Sequence, residues 1–534
     1  MAVVSRTVRV IQNAKVALIF YCINLILQFF SRKIFLDYLG AELLGLNTTA
    51  QNLLQFLNLA ESGIGAAVAF ALYKPLSQGN RQEIIDIVSL QGWFYRWVGL
   101  FVIAGSFVLM AFFPWIFAKT QVPLIYAYGT FIAFLISSLL GYFVNYKMVV
   151  LSANQQEYKI TIQTQTIKVF KVLTQMMVIW AFSYGYVWWM VVEATAAIIT
   201  CVCLTHCVEK EFPWLISDVS NGKALRDKYN FILVKTRQVF FHRIGGYVLN
   251  QATPLIIYVT GSLTLVAIYG NYMIILFGAW LLVDALFRGF NSSVGNLVTE
   301  GVTSKIVRIF WELYTIRLYL ASVICIGIFY LSNSFVTLWI GREYILSEQS
   351  LAILVAIYFI QMSRTADIFL VAYGLFRDVW APIVEAILNI GLSLLLGSFY
   401  GISGIFCGVL ISQLVVVNSW KPYFLFKEGF KRSFHGYVVI YTKKIFLILI
   451  SAILHALFFL NSSFLVAESI YDWLISSFII VSTYAVICLS LFYIFDISFR
   501  LVVQQIFIMV SQKFRKFHSN QFINSDNRRI DNDM

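Results

Sequence analysis

Residues 123–146 read PLIYAYGTFIAFLISSLLGYFVNY, an apolar run without a charged side chain. At a rise of about 1.5 Å per residue, a helix of this length crosses the ~30 Å hydrocarbon core of a bilayer. Working outward, runs of the same kind recur near 15–36, 43–72, 92–113, 164–184, 186–206, 239–260, 264–289, 308–331, 350–374, 379–399, 402–420, 438–460 and 472–495. Short polar connections separate them. The pattern predicts an all-α, polytopic membrane protein of about fourteen transmembrane helices.

Composition agrees: 60% of residues are hydrophobic, 12% are charged, and the mean hydropathy is +0.80, far from the balance of a soluble domain. The first span follows a basic start (Arg6, Arg9, Lys15) but is too long for a signal-peptide core, and no small-residue cleavage pattern follows it. It is expected to be retained.

Lys and Arg are distributed asymmetrically across these spans. With a cytoplasmic N-terminus, 34 of the 39 basic residues fall on the inner side, leaving Arg32, Lys33, Lys119 and Arg342 near outer ends and Arg364 inside a span. Both termini are therefore expected in the cytoplasm. The net charge of +13 is an orientation signal and an attraction to anionic membrane lipids, about 1 kcal/mol per surface cation. It requires no nucleic-acid partner.

The seven cysteines form no CxxC pair and mostly lie in spans, which argues against a disulfide framework. Cys203, His206 and Cys207 share a helix face, and at the end of an apolar span they read as a packed, inert cluster rather than a metal site. No GxxxxGK[ST] phosphate loop occurs, and no polar segment is long enough for an ATPase domain. The outer connections are too short for a glycosyltransferase or polymerase domain, and the lone DxD spacing, Asp531 with Asp533, lies in the polar tail. The chain reads as a non-enzyme without a cofactor.

Shifted by about 222 residues, the two halves correspond. Gly40 falls on Gly261, LLGLNTTAQNLL (43–54) on LVAIYGNYMIIL (265–276), Glu61 on Asp284 and Arg96 on Arg317. Spans one to six then match seven to twelve as parallel repeats, with a substrate cavity expected between the bundles. The expected organisation is a six-helix bundle (1–210), a second with its preceding loop (211–432), an added pair of helices (433–498) and a polar tail (499–534).

The most specific stretch, GAELLGLNTTAQNLLQFLNLAESGIGAAVAFALYKPLSQGN (40–80), carries an outer GAExxG turn, a mid-span AExGxG and an inner YKPL. Through these it resembles the polysaccharide flippases, the O-antigen and capsule repeat-unit branch of the multidrug/oligosaccharidyl-lipid/polysaccharide exporter superfamily. The resemblance extends over essentially the whole length. It implies transfer of an oligosaccharide on a polyprenyl pyrophosphate carrier across the bacterial cytoplasmic membrane, alongside polysaccharide polymerase machinery. It also implies that the last two spans help to hold the lipid tail.

Ionisable side chains inside spans cost about 2.5–3.5 kcal/mol on insertion scales and normally face a cavity or a partner. Glu61 and Arg96, with their repeat mates Asp284 and Arg317, are expected to form two acid–base pairs gating the cytoplasmic mouth; the alternative is static pairing or snorkelling. Arg288 and Arg364 are the candidates for the substrate's pyrophosphate, because guanidinium matches phosphate oxygens bidentately. Asp367, three residues from Arg364, is placed to neutralise it as an i,i+3 pair.

Arg32 and Lys33 stand near the outer end of the first span, as cavity cations or as snorkelling residues. In the lipid II branch of the superfamily, cavity cations lie on the first, second and eighth spans. Here Arg32, Lys33 and Arg288 correspond, and the second span has none. Glu193, Asp367 and Glu385 are candidates to carry a coupling ion, a proton or sodium. Pro254 is expected to kink the seventh span.

The function expected is an alternating-access flippase for lipid-linked oligosaccharide. The competing readings are a cation-coupled drug exporter on the same fold and, more remotely, a membrane glycosyltransferase.

Overall fold

The computed structural model describes residues 6–61, 63–288, 290–375, 377–378, 380–459 and 468–505. Among them there is no strand. The helices are α1 (Arg6–Asn58), α2 (Ile64–Gln78), α3 (Arg81–Ile116), α4 (Leu124–Phe143), α5 (Val149–Ala153), α6 (Glu157–Ala181), α7 (Gly185–Glu211), α8 (Gly222–Lys228) and α9 (Asn230–Thr260) in the first half. The second half adds α10 (Leu263–Arg288), α11 (Phe290–Thr299), α12 (Thr303–Ile340), α13 (Glu348–Ser363), α14 (Ala366–Ala372), α15 (Trp380–Val415), α16 (Lys421–Phe424), α17 (Phe434–Phe459) and α18 (Ile470–Phe495).

Among the described residues, ten helical stretches are long and apolar enough to cross a membrane. Two of them, Lys15–Glu61 and Trp380–Gly429, run through non-helical glycines, Gly40 (φ 80°) and Gly401 (φ 57°), and so each holds two of the expected spans. The fifth and seventh expected spans coincide with α6 and α9. The chain is a multi-pass membrane protein. Its outward side chains fit lipid: Phe107, Trp115, Tyr471 and Phe478 are all exposed.

Local sequence sets the ends. Asn80 caps α3, its Oδ1 accepting from the Glu83 amide at 3.2 Å while its Nδ2 donates to the Glu83 carboxylate. Ser469 and Asp472 form a reciprocal capping box at the start of α18.

The repeat alignment marks real junctions. Gly40 and Gly261, its counterpart, both interrupt helix, the second between α9 and α10.

Two spans expected to be continuous are broken. In the second, α1 gives way to a single 3-10 turn at Leu59–Glu61, and Gly63 (φ 106°) lies in the left-handed region before α2 begins. Only glycine adopts that conformation without strain, so the AExGxG motif is a helix break and not merely a helix face. In the tenth, α13 ends at Ser363 and α14 begins at Ala366, with Arg364 and Thr365 between them. No glycine or proline announces this second break.

The chain divides into two compact units. One comprises residues 1–274, 339–350 and 379–412; the other comprises 275–338, 351–378 and 413–534. In the first unit, the second half of α1 crosses the start of α10 at Gly45, where a Cβ would fall 2.0 Å from the Leu263 carbonyl oxygen. In the second, α17 and α18 pack on α12 through Leu447, Tyr484, Cys488, Phe492 and Phe499, flanked by Tyr319, Val323 and Ile326.

Candidate functional site

Within the second unit, the break in the tenth span gathers the membrane charges. Breaking a helix frees carbonyls that lipid cannot satisfy, so a donor has to reach them. Arg317, on α12, does so: its Nε donates to the Met362 carbonyl at 3.1 Å and its Nη1 to the Arg364 carbonyl. The guanidinium also lies over the Phe287 ring at 4.7 Å and is 4% exposed, so it is held along its edge and on one face.

Just beyond the break, Asp367 in the first turn of α14 accepts from two cations. Arg364 Nε reaches Oδ2 at 2.8 Å and Lys421 Nζ reaches Oδ1 at 2.7 Å. The i,i+3 pair expected between Arg364 and Asp367 is present. Lys421, which begins α16, was not singled out from sequence because it reads as one more basic residue at a span end.

Arg364 and Asp367 line a small cleft of about 20 Å³ with Ser363, Thr365, Asn418 and Tyr437. Tyr437 is held from behind by stacking on Tyr441 (5.7 Å, 8°) and Trp311 (5.6 Å, 24°), so the wall is rigid. Asp284 and Asp367 both act electrostatically on Arg317. The cluster thus sets Arg317, Arg364 and Lys421 against two carboxylates.

The break in the second span, in the first unit, is arranged differently. Glu61 accepts from the Tyr95 hydroxyl at 2.6 Å; Tyr142, edge-on to Tyr95, donates to Asn58 Oδ1, and Asn58 donates to Ser138. Arg96 is exposed on α3 and acts on Asp218 in the loop before α8. The Ser220 hydroxyl and amide, with Arg96 as a lesser contributor, hold the Asp218 carboxyl below its usual range. Glu61 and Arg96 are therefore not in contact in this conformation, and the Glu61 partner is the neighbouring tyrosine.

The remaining candidates have identifiable surroundings. Arg32 donates to Asn271 Oδ1 at 2.6 Å and to the Ala267 carbonyl at 3.0 Å, with glycine at 270 leaving room for its Nη2. Lys33 donates to the Trp339 carbonyl at 2.8 Å. Glu193 on α7 accepts from Lys171 at 2.7 Å and Gln175 at 2.9 Å, both on α6. Glu385 is buried on α15. Arg288 ends α10, and its side chain lies outside the described ones, as do Asp531 and Asp533. Pro254 lies within α9. Among the described residues no group of three His, Cys, Asp or Glu is placed to hold a metal.

Sequence reasoning also missed a buried ion pair in the second unit. Lys444 on α17 is fully buried and donates to the carboxylate of Asp496 and, at 2.6 Å, to Thr315 Oγ1. Asp496 ends α18 and its Oδ1 accepts from the Phe499 amide at 2.9 Å, capping the helical residues 497–505.

The sequence matches no protein family, and no curated protein matches it. Among solved structures, the lipid II flippase MurJ in an inward closed conformation is similar with a TM-score of 0.60 at 14% identity, over 89% of this chain and 99% of that one. A multidrug resistance MATE family transporter of the MOP superfamily, inward-facing, is similar with a TM-score of 0.57 at 13% identity, over 74% of this chain and 93% of that one. At such identities the likeness is one of architecture: this chain shares its all-helical fold with these two membrane transporters.

Proposed function

We propose that the protein is a flippase that moves polyprenyl-pyrophosphate-linked oligosaccharides across the bacterial cytoplasmic membrane by alternating access, for cell-surface polysaccharide synthesis. The observation that carries this reading is the cationic cluster at the broken tenth span, Arg364 and Lys421 converging on Asp367 at a partly exposed cleft. Guanidinium and ammonium groups held together are what a diphosphate needs. The similarity in fold to a lipid II flippase over most of both chains supports it.

In this reading two six-helix bundles (1–210 and 211–432) rock about the substrate, and the pair of helices within 433–498 supports the lipid tail. Arg288 joins Arg364 at the headgroup. Arg32 and Lys33 tie α1 to α10 and α12 in this conformation and reach substrate only after releasing those bonds. Arg317 with Asp284 and Glu61 with Arg96 gate the cytoplasmic mouth, while Glu193, Asp367 and Glu385 carry the coupling proton or sodium. Both termini are cytoplasmic, and the product is handed to polysaccharide polymerase machinery.

A drug exporter of the same fold is the rival, given the MATE likeness, and would favour acids over bases in its cavity. Native mass spectrometry of the purified protein with a polyprenyl-pyrophosphate oligosaccharide, an organic cation as competitor, and the Arg288→Ala and Arg364→Ala variants separates them. Glycolipid binding weakened by either variant supports the flippase; cation binding without glycolipid binding overturns it.

A further inference from the structure

Asp367 stands where an anionic ligand of this cluster would stand. Each carboxylate oxygen takes one cation, Arg364 on Oδ2 at 2.8 Å and Lys421 on Oδ1 at 2.7 Å. That two-oxygen bridge is the geometry a diphosphate's non-bridging oxygens would adopt. The pair is also accessible: the Arg364 and Asp367 side chains are 32% and 34% exposed at the mouth of the cleft, whereas Lys444 and Asp496 are 0% and 7%. Arg317, by contrast, is occupied with backbone carbonyls.

We infer that Asp367 is a resident competitor: it occupies Arg364 and Lys421 in the empty protein, and an incoming diphosphate displaces it from both. The inference rests on the flippase reading and names how its headgroup site is regulated. Its use is release. A site with two unopposed cations would hold a diphosphate too tightly to let it go, and uniform tight binding does not speed a transport cycle. The returning carboxylate re-pairs the cations and lowers the barrier to departure.

The test measures binding of farnesyl pyrophosphate, inorganic pyrophosphate and anionic phosphatidylglycerol to detergent-purified full-length protein by isothermal titration calorimetry. Wild type, Asp367→Asn, Arg364→Gln and Lys421→Gln are compared. If Asp367 competes, Asp367→Asn binds farnesyl pyrophosphate about tenfold tighter than wild type, and Arg364→Gln and Lys421→Gln bind it more weakly. Should Asp367→Asn fail to fold, Asp367→Thr serves the same purpose, since it also removes the charge and keeps an acceptor for Lys421.

Equal or weaker binding by the Asp367 variants, with wild type still binding and Arg364→Gln weakened, overturns the competitor and leaves the flippase reading standing. No binding of farnesyl pyrophosphate by wild type removes both. Tightening for inorganic pyrophosphate alone supports the exchange and assigns the site to a free anion; tightening for phosphatidylglycerol assigns it to bulk lipid.

Discussion

Arg317 Nε donates to the carbonyl of Met362 at 3.1 Å, so a side chain of α12 closes the open end of α13. The tenth span can break inside a membrane because this guanidinium replaces the missing helical hydrogen bonds, and the break is what turns Arg364 and Asp367 into the cleft. Loss of the cap therefore reaches the candidate site through the backbone.

Arg317→Met should lower the stability of the detergent-purified protein by about 1.5–3 kcal/mol, the usual worth of hydrogen bonds to a charged group. Arg317→Lys should recover only part of it, because an ammonium lacks the fork that reaches two carbonyls at once. Thermal unfolding followed by tryptophan fluorescence measures both. Equal stability of all three proteins would remove the capping role.

The buried pair of Lys444 and Asp496 gives a sharper contrast. Removing one partner, as in Lys444→Met, leaves a buried carboxylate unpaired and should cost about 3–5 kcal/mol. Replacing both, Lys444→Met with Asp496→Leu, should recover most of that loss, since apolar substitutes for a buried pair are often neutral. A double-mutant cycle in chemical denaturant reads the coupling; additive losses would mean that the two side chains act separately.

At the crossing of α1 and α10, Gly45→Ala places a methyl on the Leu263 backbone and should reduce the yield of folded protein severely. Gly65→Ala, where the Cβ would meet only the Tyr95 hydroxyl at 3.4 Å, is the control and should be tolerated. Size-exclusion profiles of membrane extracts distinguish the two. Similar profiles would show that the helices do not cross this closely.

Tyr95→Phe tests the break in the second span. It removes the donor to Glu61 and should cost about 1 kcal/mol, whereas Arg96→Gln, which removes no bond to Glu61, should leave stability within about 0.5 kcal/mol of wild type. The reverse order would restore the direct pair of Glu61 with Arg96 expected from sequence.

The spans were legible because length and hydropathy record the thickness of the bilayer directly, and the repeat placed Gly40 and Gly261 at true junctions. The Arg364–Asp367 pair was legible because i,i+3 spacing brings two side chains together on any helix-like turn. What escaped were relationships between distant segments.

The break at Arg364 carries no glycine or proline; the donor that satisfies its carbonyls is Arg317, forty-seven residues earlier. Lys443 and Lys444 are adjacent at a span end and read alike as orientation charges, yet consecutive helix positions differ by ~100° and only Lys444 points inward. In the second span AExGxG did announce its glycine, and read as a continuous helix it concealed that Glu61 sits at an interruption.

In the proposed function, a diphosphate-linked glycolipid crosses the membrane on this protein with Arg364 at its headgroup. The most direct measurement places a fluorescent polyprenyl-pyrophosphate oligosaccharide in one leaflet of protein-containing vesicles and follows its appearance in the other by dithionite quenching. The account predicts transfer by wild type and at least a tenfold slower transfer by a folded Arg364→Gln variant. No transfer above empty vesicles, with an organic cation carried instead, would contradict it.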